Sequence, residues 1–507
     1  MSDCHRDRVP RRGFLKLAGA LITAGAAGPL LAACAGPPPP EAKPAEPTKP
    51  AAEPTKPAAA AAPTPAGQPA AITTQAGKLS FWNRTFPPHE DMLNVAISMY
   101  KKRNPKQEID YQAQPDFSTK WRAAMAAGQA PDILIMHGTA LLELTIGKQV
   151  VPITPDVMTL AEAKRDLMPE TYLQSLYKGN LHALGVPDPP GDAGLVANLD
   201  HLQEAGLKFI PAFENVAQML EYGRKLVKKE KDAVVRAGLM ITGDGNNPIY
   251  WLSYICDLGG RFFDNSKQQF TLQTPEAEQT MQFFYDIIWK ERLDDPALGN
   301  NSSNALGQEL AALAFKWPEF VPYSRKAFPG LNLGFIAKPG FKLGKAPIFN
   351  HSDTWNLIIW SGTKNRDAAI DFFTYAKTRE VQRPMLTANP GMSPLKAINF
   401  DPNESFWVNG PGAYMAPILD SITKGQYRYY GPFGNMDTLQ SDTMWPVMND
   451  LFQKKSTVKE ALQTMEAKLN EEMKKYRDKY TDLDPVQIYW DGIPADLMQG
   501  IPVKSGA

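Results

Sequence analysis

The residue types that could break or move bonds are present in this chain, but not at the spacings such chemistry needs. His89-Glu90 lacks the second His, four residues on, that would let two imidazoles on one helix face hold zinc. No Gly-x-Ser-x-Gly elbow occurs, and the 6 His are scattered. Asp244-Gly245-Asn246 begins like a calcium loop, but Pro248 and the lack of a Glu at the twelfth position break it. Gly340 to Lys345 is one residue short of a phosphate-cradling loop. Paired carboxylates are defined by separation in space, so a hydrolase using two of them stays open as an alternative. The residues read as those of a protein that is not an enzyme and that needs no cofactor and no metal. What remains are groups that bind: 10 Trp, with Asp, Asn and Arg in the loops.

One thiol stands apart from these. Cys34 closes the tetrad Leu31-Ala32-Ala33-Cys34, which looks like a bacterial lipobox, where small residues admit a peptidase and the Cys sulfur accepts diacylglycerol. Upstream, Arg11-Arg12-Gly13-Phe14-Leu15-Lys16 resembles a twin-arginine export motif, and the Ala- and Gly-rich stretch from Leu17 to Ala33 is marginal in length for a membrane span. Residues 1–33 therefore read as an export signal. An uncleaved anchor with an incidental Cys is the competing reading, and both place the body outside the cytoplasm. After cleavage and loss of Cys4, with Cys34 lipidated, Cys256 is the one thiol left, so no intramolecular disulfide can form.

Residues 35–70 hold 12 Pro and 12 Ala, no aromatic residue and no Ile, Leu or Val, with the heptapeptide Ala45–Ala51 repeated as Ala52–Ala58. Such a segment cannot bury a core. Residues 34–77 are expected to be a lipidated stalk, whose residues 35–70 in polyproline-type extension would reach on the order of 100 Å. This segment absorbs much of the chain's excess of 45 Pro over 37 Gly. Over all 507 residues, 54 basic side chains balance 54 acidic ones, which removes the electrostatic footprint of a nucleic-acid binder. Without residues 1–33 the balance is 49 basic to 52 acidic.

The body starts with the apolar run Lys78–Trp82 and a helix with Leu93, Ala96, Ile97 and Tyr100 on one face, stopped at Asn104-Pro105. A strand near Ile109–Gln112, a helix through Trp121 and Met125, and the apolar run Ile133–Met136, of parallel-strand type, follow. Helices are expected near Glu214–Lys229, Pro275–Lys290 capped by Thr274, and Asp367–Ala376, with strands near Leu331–Ile336 and Leu357–Ile359. The last helix carries Val458, Leu462, Met465, Leu469 and Met473 at helical spacing behind the capping box Thr457-x-x-Glu460. Strands alternating with helices indicate an α/β fold.

Several stretches resemble, in order, motifs of the family 1 extracellular solute-binding proteins of bacterial ABC importers, the maltose-binding protein group. Trp121 to Asp132 is similar to "AAGxxPDV", Lys178 to Pro187 to the crossover "GKxYALP", and Asp257 to Asp264 to "xxGGxxxD". Leu310 to Trp317, Thr354 to Ser361, Lys364 to Thr378 and Ser456 to Leu469 match further family stretches. Asn180 and Ala197 depart from the pattern, a Gly before Trp317 is missing, and the tail after Tyr480 has no counterpart.

The resemblance implies a two-lobe periplasmic-binding-protein fold, α/β, with a hinge and a ligand cleft between lobes. Lobe one would comprise residues 78–187 plus 348–395, lobe two 188–346 plus 396–485, and 486–507 a C-terminal tail. It also implies a receptor, expected to be a monomer and, through Cys34, lipid-anchored, that captures a sugar or oligosaccharide and delivers it to the membrane permease subunits of an ABC transporter. A polyamine, glycerol phosphate or peptide is the alternative solute, and a carbohydrate-active enzyme the alternative class. Sugars present apolar C–H faces to aromatic rings and hydroxyls to paired polar groups. By position the ligand candidates are Asn83, Arg84, Asp116, His137, Asp188, Asp192, Trp251, Trp317, Asp353, Trp355, Asn435 and Trp445. Trp317 leads them, because the Trp of that motif often stacks on ligand in the family. Burial competes with ligand contact for each Trp, solvation or capping for each Asp, and a structural role for His137.

Overall fold

The computed structural model describes residues 77–480, apart from 190–192, 244–246, 300, 342–348, 351–353, 402, 405–414, 425–426 and 429–437, together with residue 501. The expected export signal with Arg11 and Arg12, Cys34, and nearly all of the expected stalk and tail lie outside the described residues, as do Asp192, Asp353 and Asn435.

Strand β1 (Lys78–Arg84) is buried over its five central residues, as a strand covered on both faces must be. Helix α1 (Pro87–Arg103) starts on Pro87, whose missing N–H costs nothing in a first turn, and turns Met92, Leu93, Ala96, Ile97 and Tyr100 inward. It leads to β2 (Glu108–Gln114), and α2 (Phe117–Ala126) leads on to β3 (Ile133–His137), both strands pairing parallel with β1. After α3 (Gly138–Ile146) and the short β4 (Leu184–Gly185), the chain crosses to a second sheet through Val186–Asp188.

That sheet is built on β5 (Gly194–Asn198), buried throughout. Helices α4 (Leu199–Glu204), α5 (Asn247–Asp257) and α6 (Pro275–Trp289) follow. Thr274 caps α6 as its sequence predicts, Oγ1 accepting from the Ala277 N–H at 3.2 Å. Strands β6 (Leu313–Phe315) and β7 (Leu333–Ala337), joined across α7 (Phe320–Ala327), flank β5 in the order β6-β5-β7. The chain then returns to the first sheet as β8 (Trp355–Ile359), followed by α8 (Arg366–Ala376) and α9 (Arg379–Ala388). It ends beside the second sheet with α10 (Trp445–Phe452) and α11 (Val458–Lys479). In the α11 capping box the Thr457 N–H donates to Glu460 Oε2 at 2.8 Å, while Thr457 Oγ1 accepts from the Glu460 N–H at 3.3 Å.

Each sheet carries its own core, one centred on Phe81, Leu134 and Ile358, the other on Leu195, Trp251 and Phe284. A third cluster takes the opposite face of the second sheet through Val196, Ala314 and Phe335 and reaches Leu386 and Met392. The strands are not all parallel. The first sheet has the order β2-β1-β3-β8-β4, with β8 antiparallel to both neighbours, and β5 is likewise antiparallel to β6 and β7. Each sheet thus has one strand slotted against its neighbours' direction. Runs such as Leu357–Ile359 and Leu195–Ala197 are apolar on both faces, and that pattern is the same for either direction. Among the described residues no helix is long and apolar enough to cross a membrane.

Candidate functional site

The two sheets meet over a cleft of about 610 Å³. Its first wall is supplied by strand ends: Arg84 closing β1, His137 closing β3, Trp355 opening β8, and the segment Gln114–Thr119 that turns from β2 into α2. The second wall carries Trp317 and Glu319, between β6 and α7, with Gln440 and Ser441 ahead of α10. Asp188 and Pro189, on the crossing segment, line it as well.

The crossing is a paired structure. Asp188 and Met392 exchange both backbone hydrogen bonds at 3.0 Å, so two of the segments that join the lobes run side by side. Asn389 Nδ2 donates to the Pro187 carbonyl at 3.0 Å and approaches Glu319 Oε1 at 3.4 Å. Asp188 Oδ2 accepts the Trp355 N–H at 3.1 Å, which ties the start of β8 to the crossing.

Arg84 is held by aromatic rings. Its guanidinium carbon lies 4.1 Å from the Phe86 ring centroid and 4.2 Å from that of Trp355, distances at which the ring quadrupoles attract the cation. The edges of His89 and His137 meet Trp355 at 5.1 and 4.9 Å between centroids, so the indole is fixed from three sides. Trp317 is half-buried, with Lys316 Nζ 3.6 Å from its ring centroid. Asp116 stands exposed at the head of α2 with φ of 52°, a left-handed backbone that only a few non-glycine residues adopt.

Beneath the cleft sits His89, fully buried on the first turn of α1. Burial, with the nearby Arg84 charge, lowers its pKa to about 4, so the ring is neutral at physiological pH. Its Nε2 lies 3.5 Å from Glu319 Oε1 and 3.9 Å from Asp188 Oδ1. Burial alone would raise Glu319, but its contacts with His89 and Asp188 and the charge of Arg84 hold it below the usual glutamate range.

Among the sequence candidates, Arg84, Asp116, His137, Asp188, Trp317 and Trp355 come together around this one cleft. Three others do not line it. Trp251 is a correction: α5 turns it wholly into the second core, where Nε1 donates to the Ala277 carbonyl at 3.3 Å. Its helical neighbours Ile249, Leu252 and Ile255 are equally buried, an all-round apolar pattern that marks a core helix. Asn83 is fully buried too, because alternate residues of β1 face opposite ways, and its Nδ2 donates to Tyr111 Oη at 2.9 Å. Trp445 is half-buried against Phe452 and the second core. Sequence reasoning missed Glu319, His89 and Gln440. Glu319, two residues past Trp317, was within reach of a positional argument; His89, on a helix face, offered no such signal.

The family described as "Bacterial extracellular solute-binding protein" matches residues 87–383. A maltotriose-binding protein of Pyrococcus abyssi is 23% identical over 337 residues, covering 63% of this chain and 67% of that protein. Among solved structures, an ABC substrate-binding protein of Listeria monocytogenes in complex with cycloalternan superposes with a TM-score of 0.64 at 15% identity, over 78% of this chain and 99% of the other. The maltose/maltodextrin-binding domain of Bdellovibrio bacteriovorus, bound to maltotriose, gives 0.60 at 16% identity over 78% and 100%. The two solved structures share the two-lobe fold seen here. The family match spans more than half of the chain, which therefore belongs to the bacterial extracellular solute-binding proteins.

Proposed function

We propose that this protein captures a sugar or oligosaccharide between its lobes and hands it to the permease of an ABC importer, while a lipid on Cys34 holds it at the outer side of the membrane. The observation that carries the ligand class is the pairing of Trp317 and Trp355, from opposite lobes, around one cleft edged by Arg84, Asp116, Asp188 and Gln440. Indole faces suit sugar C–H surfaces, and the charged and amide groups suit hydroxyls. The relatives named as binding maltotriose or cycloalternan support the same class. In this reading lobe one is residues 78–187 plus 348–395 and lobe two 188–346 plus 396–485, and the protein works as a monomer, binding without turnover.

Calorimetric titration with maltotriose, other oligosaccharides, polyols, polyamines and peptides tests this. Saturable binding of a saccharide with no product on prolonged incubation is expected. Heat from a polyamine or peptide alone would overturn the ligand class, and release of shortened saccharides would overturn the receptor role. For the anchor, Cys34→Ala should move the protein from the membrane to the soluble extracytoplasmic fraction.

A further inference from the structure

His89, Asp188 and Glu319 come from three separate parts of the chain: the start of α1, the crossing between lobes, and the turn before α7. One donor atom from each lies within 4.8 Å of the others, and all three side chains are buried. Among the described residues this is the one such grouping of His, Cys, Asp or Glu.

The geometry points to a divalent transition-metal site at the floor of the interlobe cleft, ligated by His89 Nε2, Asp188 Oδ1 and Glu319 Oε1. Metal–ligand bonds of about 2.0–2.2 Å put tetrahedral donors about 3.4 Å apart. The His89–Glu319 separation of 3.5 Å is already there, and the His89–Asp188 separation of 3.9 Å needs a contraction of roughly half an ångström.

His89 supplies the independent reason. It is completely buried, neither ring nitrogen has a hydrogen-bond partner among the described residues, and Nε2 faces two carboxylates at lengths too long for good hydrogen bonds. A buried polar group left so is costly unless something satisfies it. Asp188 and Glu319 also line the cleft, which gives the ion a way in, and three protein donors leave a position for water. One imidazole with two carboxylates suits Zn²⁺, Mn²⁺ or Fe²⁺ better than a soft ion.

Arg84, clamped beside the trio, opposes this cation and weakens the hold that the three donors would otherwise have on it. Bound there, the metal would join α1 of one lobe to the base of α7 in the other, whatever solute fills the cleft above.

The full chain, prepared without a histidine tag and stripped with chelator, should take up one equivalent of Zn²⁺, and Co²⁺ should show the visible absorption of a low-coordinate nitrogen–oxygen site. Glu319→Gln preserves shape and should weaken Zn²⁺ binding by about tenfold or more. His89→Gln should abolish the Co²⁺ bands, and Asp188→Asn serves if either variant does not fold. No stoichiometric Zn²⁺ uptake by the folded wild-type chain would overturn the site. Unchanged affinity in the folded variants would do the same, by placing the metal on other residues. Because uptake is read without any solute, neither result bears on the sugar assignment.

Discussion

Trp317 and Trp251 are the same residue type within one lobe in opposite settings, the first lining the cleft and the second fully buried. Packing a sugar face on the Trp317 indole would bury some 60–100 Å², worth about 1.5–2.5 kcal/mol at roughly 25 cal/mol per Å². Trp317→Ala should therefore lose about one to two decades of saccharide affinity with a near-native melting temperature. Trp251→Ala, which empties a fully buried site, should cost about 3–5 kcal/mol of stability and leave affinity intact in the folded fraction. Calorimetric titration and thermal melting on both variants check the pair; a collapsed melting temperature for Trp317→Ala would return that residue to the core. Residue type could not separate the two in the sequence. Trp317 follows the end of a strand, where loops gather at the cleft, whereas Trp251 needed its neighbours on α5 to be read as a face. Glu319 and His89 stayed hidden because their roles depend on approach across some 230 residues of chain, which no local spacing encodes.

Among the elements, β5 depends on a contact that only glycine allows. A Cβ on Gly194 would lie 2.1 Å from the Ile336 carbonyl oxygen and 2.8 Å from the Lys338 nitrogen, both backbone atoms that no rotamer change can move. Gly194 also lends its carbonyl to Tyr250 Oη at 2.9 Å. Gly194→Ala should push β7 off β5 and destabilise the second lobe by about 3 kcal/mol, at the upper end for overpacking. Denaturant unfolding measures the loss, and an unchanged midpoint would show that the sheet can yield. The elements themselves were largely legible. The helix caps at Thr274 and Thr457 lie where local signals put them, and the strands expected at Ile133–Met136 and Leu357–Ile359 fall inside the observed Ile133–His137 and Trp355–Ile359. Strand direction was not, since it is decided by which lobe the chain returns from.

For the whole molecule, a few side-chain contacts link elements on opposite sides of the cleft. Lys326 of α7 meets Asp91 of α1 at 2.7 Å, the Phe86 and Tyr323 rings stack at 5.6 Å, and Lys479 at the end of α11 reaches Glu143 of α3 at 3.0 Å. The ion pairs are exposed enough that each contributes no more than about 1 kcal/mol. Links this weak would leave an open–closed balance within reach of a ligand, which could shift it only by binding the closed state better. Small-angle scattering should give a smaller radius of gyration at saturating saccharide than without it. An identical curve would mean that the cleft does not open for exchange. The two-lobe plan could be reached from sequence only through family motifs, since nothing in periodicity says that residues 355–359 rejoin a sheet begun at 78.

That return of β8 sets a timetable for synthesis. It fills the gap between β3 and β4, so until it emerges from the ribosome the first sheet has a raw edge on β3 and no partner for β4. At about 5–20 residues per second, the roughly 170 residues between Gly185 and Trp355 take on the order of 10–30 s to make. During that interval the nascent chain carries an apolar, unpaired strand edge, the kind of surface that templates aggregation and that holding chaperones cover.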